Sequence, residues 1–133
     1  MKILEISPRI YLSPEKLDES IALYERLLGE KARLRFKYDE VNLELAQVGP
    51  LLLIAGTDEA LRPFRATTAT FLVDSLAAYH EVLVQSGAQV LDGPRRVPTG
   101  MNMTVLHPDG TRIEYVQLNK EQVSHVNFAD ASH

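Results

Sequence analysis

The chain of 133 residues contains no cysteine. That absence removes disulfides, thiolate zinc sites and cysteine nucleophiles at once. It also lacks a Lys/Arg run of useful length, and a formal net charge of -4 argues against a nucleic-acid partner. No apolar stretch approaches membrane-spanning length, and Met1-Lys-Ile-Leu-Glu-Ile6 carries no apolar segment of signal length. No membrane partner and a reduced, cytoplasmic setting are therefore the expectation. The four histidines, His80, His107, His125 and His133, form no pattern either. None has a second His at i+4, a Glu-x-x-His spacing or an acid placed as in a triad, so no nucleophilic or metal constellation is marked.

What remains is an average globular composition, 45% hydrophobic and 24% charged, in a chain long enough for one domain with a real core. Arg9-Ile-Tyr-Leu-Ser13 reads as a strand, with Ile10 and Leu12 on one face and Arg9, Tyr11 and Ser13 on the other. A helix follows to about Leu28. Pro14 lies near its first turn, Leu17, Ile21, Tyr24 and Leu28 recur at helical spacing, and Gly29 supplies the stop. Ala32–Tyr38 and Val41–Val48 alternate as a hairpin about Asp39-Glu40, whose Arg33, Arg35 and Lys37 stripe reads as a wet edge face. Leu51–Ala55 is a short buried strand, and 56–63 a connector with room for one helical turn.

The pattern then restarts. Ala66–Val73 is a strand with Ala69, Phe71 and Val73 on one face and Thr68, Thr70 and Leu72 on the other. Ser75–Ser86 is a helix ended by Gly87, and Ala88–Leu91, Asn102–Leu106 and Thr111–Leu118 are strands. Gly93–Gly100 reads as a Pro/Gly-rich loop, either a plain connector or a segment that moves over a pocket. His107-Pro-Asp-Gly110 is a hairpin turn: Pro108 presets φ, Asp109 bonds its own backbone and Gly110 accepts a positive φ. Its second arm puts Ile113 and Tyr115 on one face and Arg112, Glu114 and Val116 on the other. Ser20-Ile-Ala-Leu-Tyr24 and Ser75-Leu-Ala-Ala-Tyr79 share three residues in register, so the chain reads as two copies of one β-α-β-β-β unit.

A paired βαβββ chain carrying Leu17-Asp-Glu-Ser-Ile-Ala-Leu-Tyr-Glu-Arg-Leu-Leu-Gly29 and His107-Pro-Asp-Gly-Thr-Arg-Ile-Glu-Tyr115 resembles the vicinal oxygen chelate superfamily. That group includes glyoxalase I, fosfomycin-resistance proteins, extradiol dioxygenases and bleomycin-resistance proteins. The resemblance covers residues from about 5 to 118 and departs at His107, where the family usually has Asp. It implies an α+β fold: one domain, 1–118, whose two modules (about 5–56 and 66–118) form a curved mixed sheet with a concave pocket. Residues 119–133 are left as a tail. Metal-dependent members take ligands from the strands. Carried across, those positions hold Arg9, Leu52 or Leu53, Thr68 and Glu114, of which only the last is an ordinary ligand.

No metal and no cofactor are therefore expected. The resemblance implies instead a small-molecule-binding protein of the bleomycin-resistance type, acting as a homodimer. Its ligand is expected against Arg9, Tyr11, Leu53, Thr68, Thr70, Asn102, Thr104 and Glu114, with Arg9 meeting Glu114 directly or through water. Met101 and Met103 alternate into the core. The alternatives are an enzyme of the superfamily (a lyase, isomerase or dioxygenase) using Glu114 or an atypical metal site, and a regulatory subunit whose cavity its own side chains fill.

Overall fold

The computed structural model describes residues 1–119. The expected tail, with His125 and His133, lies outside the described residues apart from Asn119. The chain divides into two compact units: Ser7–Ala66, and Thr67 onward together with Met1–Ile6.

The first unit contains most of β1 (Ile3–Leu12), then α1 (Leu17–Leu28), β2 (Leu34–Tyr38), β3 (Leu43–Val48), β4 (Leu51–Ala55) and the single turn α2 (Asp58–Leu61). Its strands lie in the order β2-β3-β4-β1, with β1 and β4 parallel and the other neighbours antiparallel. A 3-10 turn at Pro14–Lys16 leads into α1, as expected of proline at a helix start. Leu17 and Ile21 then pack on Ala46, Val48, Leu53 and Ala55. Gly29, at φ 70, ends the helix by donating its N–H to the Glu25 carbonyl at 2.9 Å. The β2–β3 connection takes in Val41: Asp39–Val41 form a 3-10 turn and Asn42 sits at φ 59, a conformation its short polar side chain tolerates. Arg35 is more than part of a wet stripe. It bonds Asp18 of α1 at 2.8 Å and Glu44 of β3 at 2.9 Å, tying the edge strand to the helix.

The second unit repeats the plan as β5 (Thr67–Val73), α3 (Leu76–Gln85), β6 (Gln89–Val97), β7 (Gly100–Leu106) and β8 (Arg112–Leu118). Strand order is β5-β8-β7-β6, again with one parallel pair, β5 and β8. Ser75 caps α3, its Oγ accepting from the Ala78 N–H at 3.2 Å. Leu76 packs with Val73, Met103, Val105, Ile113 and Tyr115, which confirms the inward face of both hairpin arms and the core position of Met103. The turn closes as read: Gly110 donates to the His107 carbonyl at 2.9 Å, and the Asp109 carboxylate accepts from the Thr111 N–H at 2.9 Å. Both units are thus β-α-β-β-β, and the fold is α+β.

One expectation fails here. Gly93–Gly100 is not a loop over a pocket; β6 continues through Val97 and stays paired with β7 until Val97 meets Gly100. The pairing absorbs Gly93-Pro94 through register irregularities on either side of Asp92. β6 lies at the end of the strand order, where proline is tolerated, and Pro94 falls within the register shift between Asp92 and Arg95. Gly93 is required because a Cβ there would come within 2.7 Å of the Asn102 carbonyl oxygen.

Candidate functional site

In each unit one sheet face is covered by the long helix, and the candidate polar residues project from the other. In the first unit Arg9 stands beside Leu52 and Tyr11 beside Ile54, with Gln47 beyond Leu52. Side chains alternate along a strand, so Ser7, Arg9, Tyr11, Gln47, Leu52 and Ile54 share the face away from α1. Leu53 does not. It is fully buried against Leu17 and Ile21, so its expected role in lining a ligand pocket is corrected to helix core, and Leu52 takes the place beside Arg9.

This face is largely supplied with partners from its own unit. Arg9 Nη1 donates to the Tyr11 hydroxyl at 2.9 Å, and that hydroxyl donates to the Phe64 carbonyl at 2.5 Å. Gln47 Nε2, buried, donates to Ser7 Oγ at 3.2 Å and to the Gly49 carbonyl at 3.0 Å. Leu61 and Phe64, from α2 and the turn after it, pack over Leu43, Leu52 and Ile54. Tyr11 is thereby fixed in place, with its ring against that apolar cluster.

The second unit holds a more polar face. Thr70 of β5 stands beside Glu114 of β8, Glu114 beside Thr104 of β7, and Thr104 beside Asp92 of β6. The next row runs Leu72, Val116, Asn102, Arg95. Glu114 is half-buried, and its Oε1 accepts from the Thr70 hydroxyl at 3.2 Å. Asp92 and Arg95 form an ion pair on the exposed strand β6. Thr70, Asn102, Thr104 and Glu114 therefore do share one face, as their alternation implies.

Thr68 departs from that set. The β5–β8 register shifts between Thr67 and Ala69, so both Thr67 and Thr68 lie opposite Arg112. Thr68 is left exposed, with a long 3.4 Å contact from its hydroxyl to the Arg112 carbonyl. Thr67, which the alternation of the sequence assigns to the other face, is buried and stands in register with Arg112. Thr67, Arg112 and Phe64 are the residues that sequence reasoning passed over. Arg112 carries a visible signal, since it alternates with Glu114; the bulge at Thr67 carries none.

His107 belongs to the other side of the sheet. Its Nε2 lies 2.8 Å from the Tyr115 hydroxyl, and Tyr115 packs against Phe71 and Tyr79. Burial is the main reason that the Tyr115 and Tyr79 phenols are pushed above their ordinary pKa. This is a packed aromatic cluster under α3.

The donors at the positions that hold metal in the family do not suit a divalent ion. Arg9, Leu52 and either Thr67 or Thr68 offer no imidazole or carboxylate, and Glu114 alone is one ligand where three or four must converge. Among the described residues no group of three His, Cys, Asp or Glu side chains comes together. The arrangement is one of hydrogen bonding: a carboxylate bracketed by two threonines, with an asparagine and an arginine on the same face.

The model described as the Glyoxalase/Bleomycin resistance protein/Dioxygenase superfamily matches residues 8–115. Among solved structures, an uncharacterized protein from Methanosarcina mazei is 50% identical, with a TM-score of 0.83, over 90% of this chain and 96% of that one. Methylmalonyl-CoA epimerase from Mycobacterium tuberculosis is 17% identical, with a TM-score of 0.69, over 92% of this chain and 93% of that one. A variant of the Streptomyces coelicolor methylmalonyl-CoA epimerase, in complex with 2-nitronate-propionyl-CoA, is 20% identical, with a TM-score of 0.66, over 90% and 97%. At such identities the likeness to the epimerases is one of fold. A comparison with curated proteins finds no match. Two βαβββ modules and a family match spanning most of both place the chain in the Glyoxalase/Bleomycin resistance protein/Dioxygenase superfamily, the vicinal oxygen chelate group.

Proposed function

We propose that this chain is a small-molecule-binding protein of the bleomycin-resistance type that seats its ligand without a metal ion, as a cytoplasmic homodimer. The observation that carries this reading is the donor set. Where the family's metal chemistry requires imidazoles and carboxylates, this sequence supplies arginine, leucine and threonine and a single glutamate. On the second module Glu114, Thr70, Thr104 and Asn102 form a seat suited to ligand hydroxyls and amides. Arg9 and Tyr11 are the polar groups of the corresponding face of the first module, and Arg9 is suited to an anionic or carbonyl group.

The likeness of fold to methylmalonyl-CoA epimerases supports the alternative, an enzyme of the same superfamily. Proton transfer at an α-carbon would then fall to Glu114, with no ion to stabilise the enolate oxygen. The donor set favours binding over this chemistry.

Native mass spectrometry on protein before and after EDTA treatment tests the reading. The expected result is a dimer that keeps a co-purified small molecule through chelation, with Glu114→Gln losing that molecule while remaining dimeric. Release of metal and ligand together on chelation would count against a metal-free seat and move the enzyme reading to first place.

A further inference from the structure

We propose that Arg112 is the anchor for an oxyanion of the ligand, so that the second module takes small organic acids carrying a hydroxyl or amide N–H. This rests on the reading of that module as a ligand seat and names the class of molecule it would take.

Three arginines among the described residues are half-buried: Arg9, Arg33 and Arg112. Arg9 donates to the Tyr11 hydroxyl and Arg33 to the Gly49 carbonyl, but the Arg112 guanidinium has no ion pair or hydrogen bond among the described residues. It opens β8 with Thr67 on one side and Leu106 on the other, both uncharged. The carboxylate sharing its strand face, Glu114, is two residues on, about 7 Å by strand rise, and already accepts from Thr70. No nitrogen of this guanidinium is fully buried without a partner, so its donors meet water, and a planar oxyanion can replace that water with two parallel charge-assisted bonds.

The rest of the ligand follows from what lies along the strand. A molecule held by its acid group at Arg112 reaches Glu114 and Thr104 within a few carbons. Ionised, Glu114 accepts and cannot donate, so the group that meets it must bring a proton of its own. Carboxylic acids and phosphoryl compounds share the required chemistry at Arg112. A purely cationic or neutral ligand would leave Arg112 without a partner.

Titration of 15N-labelled protein with 4-hydroxybutyrate, inorganic phosphate and uncharged butyramide, followed by NMR, tests this. Binding of 4-hydroxybutyrate or phosphate is expected to shift the amide signals of Thr67, Leu106, Arg112 and Glu114, whereas butyramide leaves them in place. Stronger binding of 4-hydroxybutyrate than of phosphate would assign a carboxylate, and the reverse order a phosphoryl group. Arg112→Gln is expected to weaken oxyanion binding roughly tenfold or more, with Arg112→Lys in between. Equal affinity in wild type and Arg112→Gln, or no response to either oxyanion, would overturn the assignment. If a co-purified ligand needs Glu114 yet survives Arg112→Gln, this inference fails and the metal-free binding reading stands.

Discussion

Gly100 sits at φ 154 where β7 begins, and a Cβ there would overlap the carbonyl oxygen of Gln117 on β8. Both backbones would have to separate. Gly100→Ala is therefore expected to destabilise by roughly 2–4 kcal/mol, measured by urea unfolding. Leu53, with no exposed surface beneath α1, makes the complementary case: Leu53→Ala should cost about 2–5 kcal/mol of stability without altering ligand affinity. Leu53 also marks where residue-level reading ran out. Leu51–Ala55 is apolar at every position, so the sequence holds no period-two contrast to say which residues face the helix. The β1–β4 register decides it, and one step exchanges Leu52 for Leu53. Glu114 was legible because Ile113 and Tyr115 flank it and both are buried.

Among the elements, the two long helices were readable because each announces its end: Gly29 takes φ 70 and Gly87 takes φ 89, as their places after the last helical turns require. Ser75→Ala removes the N-cap of α3, leaving the Gln117 carboxamide oxygen on the Leu76 N–H, and should cost about 1 kcal/mol. β6 was illegible for the converse reason. Gly93-Pro94 reads as a breaker, and only the pairing with β7 shows that an edge strand accommodates it. The aromatic cluster beneath α3 gives a pH dependence. Tyr115 and Tyr79 have phenols raised chiefly by burial, so the folded state holds protons that the unfolded chain releases above about pH 10. Their stabilisation is complete below that pH and falls as pH rises through the raised folded values. Tyr79→Phe and Tyr115→Phe should each flatten the alkaline limb of a plot of melting temperature against pH; a limb that neither change alters would contradict this origin.

For the whole molecule, the doubled unit was visible in the recurrence of serine, alanine and tyrosine in the two helices, each followed by glycine and strands. Repetition explains the architecture, since each module has a helix-covered sheet face with its own apolar core. Divergence explains the function proposed for it. The superfamily framework persists while the positions matched to its metal ligands hold arginine, leucine and threonine, and the carboxylate that remains stands between two threonines. The most direct measurement is calorimetric titration of Mn2+, Co2+ and Zn2+ into protein stripped with EDTA, for wild type and Glu114→Gln. Neither protein is expected to bind an ion stoichiometrically. One ion per chain, bound by wild type and lost in Glu114→Gln, would contradict this and show that the fold's metal chemistry survives in this sequence.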